Sequence, residues 1–258
     1  VAPMVDARVA AVAGNAKVGN RVNLVTRWQA VEYVTSQNLD RRAAALLDCI
    51  TVVPGAVGAW RAALLRAVGG FREDTLAEDQ DLTLELRRRG WRVAYAEDAV
   101  AYTEAPDTLR ALARQRFRWS YGTLQCMWKH RDALLRRRYG ALGLVAMPNV
   151  WLFQLGFTAL SPLADLALVW SLAGTWVTYL HHGGTYAATD LRRLLALSCA
   201  FVLLDFVAAL GAFLMEKGED RRLTWLVLPQ RFAYRQVMYW VVVRSFVAAL
   251  RGRAQGWG

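Results

Sequence analysis

The sequence predicts an α/β domain followed by a helical membrane domain, and two contrasts along the chain lead to this prediction. In residues 1–140, short apolar segments alternate with amphipathic helical patterns, and charges occur throughout, as in a layered α/β protein. In residues 141–250, the apolar runs are longer than a soluble core needs. Part of the net charge of +11 lies in basic stretches beside these runs, which is typical of the cytoplasmic ends of membrane spans.

The first half of the chain alternates between strand and helix patterns. "RVAAVAGNA" predicts a short buried strand ended by Gly14–Asn15, and "GNAKVGNR" predicts a turn into the next helix. That helix is expected over residues 24–47, with a polar break near "SQNLDRR". "CITVVPGAVGAW" predicts a strand that runs into a loop, and "RAALLRAVGGF" predicts a short helix closed by Gly69–Gly70.

The stretch "LAEDQDLTLELRRRGW" predicts a helix with acids in its first turn and arginines in its last, an arrangement that suits the helix dipole. Leu82 and Leu86 are spaced i, i+4, and Gly90 is well placed just past the helix end. Taken alone, the acids are helix-start charges and the arginines are a solvated face or headgroup contacts. "WRVAYAEDAVAY" then alternates as a strand should.

A further helix is capped by Asp107 or Thr108 and reaches about His130. One of its sides is apolar, and the opposite side carries Gln115, Arg118, Trp119 and Gly122. A solvated face or a membrane interface is one explanation of this side. A tryptophan exposed beside an arginine favours the other explanation, a binding surface.

The apolar runs predict about four membrane helices. Ala141–Leu180 is long enough for two spans joined by a turn at Ser161–Pro162, and Leu194–Met215 and the last apolar segment supply one each. With basic, cytoplasmic flanks at both ends, the number of crossings is even, and "EKGEDRR" is expected to face away from the cytoplasmic domain. A large all-α core is the alternative explanation of these runs.

Few other residues predict a site. Asp165 and Asp205 lie within apolar runs, where a charge is costly, so each is an interface residue, a paired residue or part of a polar channel. The three cysteines have no paired spacing, which gives no case for a disulfide framework or a metal site. The arginines form no aromatic-interleaved surface, which argues against a nucleic-acid binder.

Two short sequence motifs precede the apolar runs. One is "GGF…AED…L…RG", and the other is "QRFRW", which matches Q-x-x-R-W. In this combination the chain resembles the processive family 2 glycosyltransferases, which are the cellulose, hyaluronan, chitin-oligosaccharide and poly-N-acetylglucosamine synthases. The resemblance runs from roughly Ala10 to the end, and the tail beginning "PQRFAYRQ" resembles the poly-N-acetylglucosamine and chitin-type members.

The resemblance implies a GT-A-like fold, a UDP-sugar donor (UDP-N-acetylglucosamine), Mg²⁺ or Mn²⁺, and an inverting transfer. By position, Asp79 corresponds to the catalytic base of the family's T-E-D motif; Ala77 replaces the Thr, and Glu78 is kept. The expected substrate-binding residues are Gln115, Arg118 and Trp119, which correspond to the motif at the acceptor and diphosphate, and Gly55, in the loop beside the acceptor.

The same resemblance divides the chain into three parts. Residues 1–106 are expected to be the C-terminal half of a cytoplasmic GT-A domain, residues 107–140 an interfacial helix region that carries "QRFRW", and residues 141–258 a transmembrane domain of about four helices. The family's D-x-D motif, which binds metal and nucleotide, is expected upstream of residue 1. The metal is therefore expected to have no ligand within this chain, and the chain is expected to be inactive alone.

The full-length parent is expected to be a multi-pass enzyme of the inner or plasma membrane, with its catalytic part in the cytoplasm. It would extend and export a β-linked polysaccharide. Its partners would be the UDP-sugar donor, the polysaccharide acceptor and the lipid bilayer, with an accessory subunit possible and no nucleic acid. The alternatives are a non-processive sugar transferase to a lipid carrier and a non-catalytic membrane scaffold or transporter.

Overall fold

A computed structural model describes residues 2–182 and 184–252. The strands are β1 (Val9–Val18), β2 (Gly58–Trp60) and β3 (Arg92–Thr103). The α-helices are α1 (Leu24–Glu32), α2 (Leu39–Leu46), α3 (Ala62–Ala67), α4 (Glu78–Arg88), α5 (Leu109–Lys129), α6 (Met147–Asn149), α7 (Thr158–His182), α8 (Gly184–Met215), α9 (Val227–Gln230) and α10 (Tyr234–Leu250). The π-helical segments are Tyr33–Asn38, Leu142–Ala146 and Val150–Phe157.

The three strands form one sheet in the order β2-β1-β3, with β1 antiparallel to β2 and parallel to β3. Every residue of the central strand β1 is buried. At Gly14 a Cβ atom would lie 2.3 Å from Val57 Cγ2 and 2.6 Å from Ala99 O, so only glycine permits this close approach. The expected strand end at Gly14–Asn15 is wrong, because β1 shifts register there and pairs with β3 as far as Val18.

The helix that follows β1 has no break at "SQNLDRR". The π-helical segment Tyr33–Asn38 joins α1 to α2 without interruption. Two of its polar side chains face inward: Asn38 Nδ2 donates to Ala16 O at 3.3 Å, and Arg41 Nη1 donates to Asn38 Oδ1 at 3.2 Å. Their polarity therefore reflects internal hydrogen bonds and not the end of a helix.

The strand expected in "CITVV" is also absent. The Val53 N–H donates to the Thr83 hydroxyl of α4 at 3.0 Å, so this segment is bonded to a side chain instead of a neighbouring strand. The turn predictions around α3 and α4 are confirmed, since Gly69, Gly70 and Gly90 have positive φ angles of 89°, 77° and 86°.

In the described part of the apolar half there are three long helices instead of four. Leu142–His182 is one continuous helix of 41 residues with Pro162 inside it, so the predicted turn at Ser161–Pro162 is wrong. The Ser161 hydroxyl donates to Phe157 O at 2.7 Å, and a side-chain bond of this kind supports a helix around proline in an apolar environment. Among the described residues, this helix and Leu191–Met215 are long and apolar enough to cross a membrane.

The segment that follows α8 contacts the α/β part of the molecule. Glu216 lies 3.0 Å from Lys17 Nζ, and both side chains are almost fully buried. Arg42 lies 3.2 Å from Glu216, and Arg21 lies 2.7 Å from Glu219. The prediction that "EKGEDRR" faces away from the catalytic half is therefore wrong. Glu216 and Glu219 of this segment complete an ion-pair cluster around the buried Lys17 of β1.

Asp165 and Asp205, the two acids singled out in the apolar runs, are both paired. Asp165 accepts a hydrogen bond from Gln236 Nε2 at 2.6 Å, and Asp205 accepts one from Arg235. The donors come from α10 and the acceptors from α7 and α8. These pairs hold α10 against the two apolar helices at polar points, as expected for charges in an apolar environment.

Candidate active site

The first turn of α4 presents the two predicted catalytic acids, Glu78 and Asp79. The Asp79 carboxylate is held by two backbone amides: Oδ1 accepts a hydrogen bond from Gln80 N at 2.8 Å, and Oδ2 accepts one from Gly55 N at 3.1 Å. Gly55 opens a short 3-10 turn, Gly55–Val57, in the loop predicted to lie beside the acceptor. The structure therefore brings this acid and this loop into direct contact.

The surroundings of Asp79 raise the pKa of its carboxyl above the usual value for aspartate. Burial is the largest cause, because it disfavours the charged form. The amide hydrogen bonds from Gln80 and Gly55 and the nearby Arg41 guanidinium lower the pKa but do not cancel the effect of burial. The sequence left this balance open. A carboxylate whose pKa is raised towards the working pH is a better general base.

Glu78 is less constrained than Asp79. Its side chain is half-buried, and it makes no hydrogen bond or ion pair with any residue that the structure describes. Its predicted catalytic role therefore stays a prediction.

Arg41 was not singled out by the sequence, yet it is a buried cation close enough to Asp79 to affect its pKa. Its guanidinium is bonded to Asn38 and to Gln37 Oε1, and its Nε has no partner among the described residues. The polar run "SQNLDRR" contains Arg41 and could have indicated a buried polar cluster, but it was interpreted as a helix break. A buried arginine at this point helps to keep Asp79 ionised despite its burial.

Helix α5 docks closely on the residues that precede α4. A Cβ atom at Gly122 would lie 2.7 Å from both the Cβ and the N of Ala77, so the glycine allows the two backbones to touch. Thr123 Oγ1 donates to Gln80 Oε1 at 2.8 Å, and Leu76 N donates to Gln125 Oε1 at 2.9 Å. These contacts fix the distance between "QRFRW", which lies one to two turns earlier on α5, and the α4 terminus.

Gly122→Ala is expected to lower the free energy of unfolding by about 1–3 kcal/mol, because the new methyl group overlaps the Ala77 backbone. This loss would occur although alanine is the better helix former by about 1 kcal/mol. Thermal unfolding of the purified chain in detergent measures the effect.

The matched control is Gly211→Ala in α8, where no atom lies within 4 Å of the added Cβ. It should leave the unfolding temperature unchanged or raise it. Equal unfolding temperatures for the two variants would contradict the close docking of α5 on α4.

The "QRFRW" motif divides into a buried and an exposed part. Arg116 is buried, and its guanidinium bonds Glu32 Oε2 at 2.6 Å and Gln115 Oε1 at 3.2 Å. The same guanidinium lies over the Trp119 ring at 4.1 Å from the ring centroid. Arg118 and Trp119 are exposed on the surface, with Trp119 at 39%.

The motif's internal contacts were not predicted from the sequence. Arg116 links Gln115 and Trp119 to Glu32 at the end of α1, and its Nη2 also lies 3.4 Å from the Tyr234 hydroxyl of α10. No hydrogen bond or ion pair joins Gln115 or Trp119 to Asp79 among the described residues. Their relation to Asp79 is set by the docking of α5.

The other charges of α4 hold the fold together. Asp81 is buried, and its carboxylate bonds His130 Nε2 and Lys129 Nζ, both at 2.7 Å. Burial would raise the pKa of Asp81, but the hydrogen bonds from His130 and Lys129 outweigh it, and the pKa is lowered. Asp81 is therefore a stable anion that ties α4 to the end of α5, in keeping with its predicted structural role.

The three arginines at the end of α4 are not a uniform solvated face. Arg87 is buried and pairs with Asp48 at 2.8 Å, Arg88 pairs with Asp132 at 2.7 Å, and Arg89 is exposed and pairs with Glu85 at 2.7 Å. Only Arg89 matches the expectation of a solvent-facing charge. The sequence could not reveal the partners of Arg87 and Arg88, because they lie on distant segments.

The described residues form no cluster of metal ligands. In residues 2–182 and 184–252, no group of three or more His, Cys, Asp or Glu side chains converges in a way that could hold one. Asp79 is engaged by two backbone amides, and Asp81 by Lys129 and His130.

The fold is similar to that of a solved glycosyltransferase. The chain superposes on the mannosyltransferase of Pyrobaculum calidifontis, solved with GDP-Man and Mn²⁺, with a TM-score of 0.54 and 19% identity. The match covers 97% of this chain and 56% of that protein. This likeness confirms the GT-A-like fold.

Residues 1–243 match the model of glycosyl transferase family group 2, and the chain belongs to that family. It is 27% identical over 117 residues to the poly-β-1,6-N-acetyl-D-glucosamine synthase of Staphylococcus aureus (strain COL), a match over 45% of this chain and 28% of that protein. It is 30% identical over 105 residues to the probable glucomannan 4-β-mannosyltransferase 7 of Oryza sativa subsp. japonica, over 41% of this chain and 18% of that protein. The chain thus spans less than a third of either relative.

Proposed function

We propose that the full-length parent of this chain is a membrane-bound inverting glycosyltransferase. It transfers sugar from a UDP-sugar, UDP-N-acetylglucosamine, to a growing β-linked polysaccharide and exports the product. The main support is the half-buried Asp79 carboxylate, with its raised pKa, at the loop amide of Gly55. Family membership and the likeness to the poly-β-1,6-N-acetyl-D-glucosamine synthase support the choice of reaction and sugar.

The reaction is a single displacement at the anomeric carbon of the donor. The acceptor hydroxyl oxygen forms the new bond to that carbon, the bond from the carbon to the UDP oxygen breaks, and UDP leaves with the bonding electrons. The acceptor hydroxyl loses its proton as it attacks, and Asp79 Oδ2 receives it as the general base. Gly55 N and Gln80 N hold the carboxylate in place for this transfer.

The exposed part of "QRFRW" supplies the binding surfaces. Arg118 neutralises the charge that develops on the leaving diphosphate. The Trp119 ring offers a flat apolar face for a sugar of the acceptor, and Arg116 beneath it fixes the ring. Gln115 is held by Arg116 and donates from its amide to sugar hydroxyls. At Gly55 no atom lies within 4 Å of an added Cβ, which leaves room for the acceptor beside Asp79.

Transfer requires Asp79 as the carboxylate, so its rate should fall on acidification. Because the pKa of Asp79 is raised, the fall should begin at a higher pH than for an ordinary aspartate with a pKa of about 3.9. The acid limb of kcat/KM against pH, measured on the full-length parent, reports this value. An acid limb at or below the ordinary aspartate pKa would contradict the assignment of Asp79.

The membrane assignment is supported by the helices Leu142–His182 and Leu191–Met215, whose lengths and apolar surfaces suit a bilayer. The α/β part would lie on the cytoplasmic side of the inner or plasma membrane. Mg²⁺ or Mn²⁺ would neutralise the donor diphosphate through ligands outside this chain. An accessory subunit stays a prediction.

Two other functions fit some of the features. A non-processive sugar transferase to a lipid carrier would use the same base and donor but release a single-sugar product. A non-catalytic membrane scaffold or transporter would need no carboxylate at Asp79. The absence of a nucleic-acid partner stays a prediction.

The donor and product can be identified together. Membranes that contain the full-length parent are incubated with individual radiolabelled UDP-sugars and GDP-mannose, and the products are sized. We expect a long polymer from UDP-N-acetylglucosamine alone. A single sugar on an extractable lipid would support the lipid-carrier transferase, and no incorporation from any donor would support the scaffold.

A further inference from the structure

The segment between α5 and Leu142 carries an exposed surface that the proposed chemistry does not use. We name it the arginine patch, and it consists of Trp128, Arg131, Leu135, Arg136, Arg137 and Arg138. All six side chains are exposed, with the apolar Trp128 at 63% and Leu135 at 67%. The surface therefore combines four cations with two large apolar groups.

The patch keeps its positive charge because acids neutralise little of it. The nearest acid, Asp132, is bound by both guanidinium nitrogens of Arg88 at 2.7 Å, and Arg138 lies farther from it at 3.8 Å. Arg136 and Arg137 have no side-chain hydrogen bond or ion pair with the residues the structure describes. Arg138 is only weakly engaged by an acid, and Arg131 bonds the Trp128 carbonyl oxygen instead. Together with Arg136 and Arg137, they make a site for an anion.

Trp128 and Arg131 form one unit within the patch. The Arg131 guanidinium lies 4.6 Å from the centroid of the Trp128 ring, and it donates to Trp128 O at 2.9 Å. A tryptophan with an adjacent arginine is typical of the interface between lipid headgroups and hydrocarbon, where the ring is partly buried and the cation reaches phosphate.

The backbone fixes the patch beside the start of the long apolar helix. Leu135 adopts a φ of 57°, which is uncommon for a residue other than glycine, and its N–H donates to Gly143 O at 3.0 Å. A Cβ atom at Gly143 would lie 2.6 Å from Arg136 O, so the two segments touch. The exposed Leu135 side chain is thereby held beside the start of the apolar helix.

We propose that the arginine patch binds the phosphate groups of anionic phospholipids where Leu142–His182 enters the bilayer. The guanidinium groups engage the headgroup phosphates, and Trp128 and Leu135 insert between the headgroups. The inference rests on the proposed membrane location and adds to it a preference for one lipid class. Charge complementarity and continuity with the apolar helix favour this occupant over an acidic protein.

The test uses the full chain in nanodiscs made of phosphatidylcholine with a minor fraction of phosphatidylglycerol. Leu144→Cys, in the first turn of the long helix, carries a fluorescent label, and Cys199→Ser removes the exposed native cysteine. Brominated acyl chains quench the label and are placed either on the phosphatidylglycerol or on an equal amount of the phosphatidylcholine. The readout is lipid contact and not sugar transfer.

We expect stronger quenching from brominated phosphatidylglycerol. Each basic residue near an anionic surface strengthens binding by about fivefold, so R136Q/R137Q/R138Q should weaken the preference by about 100-fold and abolish the difference. The matched control, R8Q/R66Q/R72Q, removes the same amount of charge from exposed arginines elsewhere. It should retain the preference for phosphatidylglycerol. High salt should remove the preference of the unmodified patch without any substitution.

Three results would overturn the inference. Equal quenching by the two brominated lipids would show that the patch does not select anionic lipid, while the membrane location stands. No quenching by either lipid would show that this end of the helix lies outside the bilayer, and the membrane part of the proposed function would fail with it. A preference that survives both the triple substitution and high salt would show that other groups cause it.

Discussion

Asp79→Asn in the full-length parent is expected to reduce sugar transfer by about 10²–10⁴-fold, the usual contribution of a general base. The amide keeps the shape of the carboxylate but cannot accept the proton of the acceptor hydroxyl. Stability should not fall, because burial raises the pKa of Asp79 and the ionised carboxylate is therefore less favourable in the folded chain than in the unfolded chain. Initial rates and thermal unfolding of the same preparation measure both effects.

The matched control is Asp81→Asn, two residues further along α4. The pKa of Asp81 is lowered, so its charge stabilises the fold above the unfolded pKa, and this contribution is lost as the pH falls through the folded value. Asp81→Asn should therefore unfold at a lower temperature, with a loss of about 1.5–3 kcal/mol for its charged hydrogen bonds. An Asp79→Asn parent that retains normal transfer would contradict the role of Asp79 and favour the non-catalytic scaffold.

Arg116→Gln is expected to cost about 3–5 kcal/mol of stability, the usual penalty for removing one partner of a buried ion pair. It leaves the Glu32 carboxylate without its cation at 2.6 Å and removes the cation that lies over Trp119. Because Trp119 and Gln115 would lose their common support, KM for the acceptor should rise as well. Chemical denaturation and acceptor titrations of the full-length parent measure the two consequences.

Arg114→Gln provides the comparison, because Arg114 is exposed on the same helix. The free energy of unfolding of this variant should be within about 0.5 kcal/mol of that of the unmodified chain. The double variant Glu32→Gln with Arg116→Gln should recover part of the lost stability, because no unpaired charge is left. If Arg116→Gln and Arg114→Gln unfold alike, Arg116 is not the support that the geometry indicates.

The sequence predicted those parts of the site that follow from local patterns. The acids and Gly90 bounded α4, Thr108 capped α5, and the motif spacing placed Asp79 and "QRFRW" on successive helices. The family resemblance placed Gly55 in a loop beside the acceptor, but its contact with Asp79 comes from the structure alone. Each of these features depends on helix ends or on motif order, which can be read from one chain.

The errors share a physical cause, because each concerned a polar group whose partner lies far away in the chain. Lys17 is buried in β1 because Glu216 and Glu219 pair with it, and "SQNLDRR" stays helical because Asn38 and Arg41 bond inward. Arg116 was not singled out at all, because its partner Glu32 lies 84 residues earlier in the chain. Periodicity records which side of a segment is polar, but it does not record whether that side meets water or a distant partner.

The turn predicted at Ser161–Pro162 is wrong for a related reason. A proline beside serine usually ends a helix in water, but an apolar environment requires every backbone group to be bonded within the segment. The helix Leu142–His182 therefore continues through it. The orientation predicted for "EKGEDRR" failed with the predicted turn, because it depended on an extra crossing.

The central claim is that one base, Asp79, drives a single displacement, and the anomeric configuration of the product tests it most directly. The full-length parent is given UDP-N-acetylglucosamine, whose sugar is α-linked to the diphosphate, and the new linkage is assigned by NMR. A single displacement predicts a β linkage in the product of the unmodified parent and almost no product from Asp79→Asn. An α linkage would require two displacements or a front-side reaction, and it would contradict the proposed mechanism.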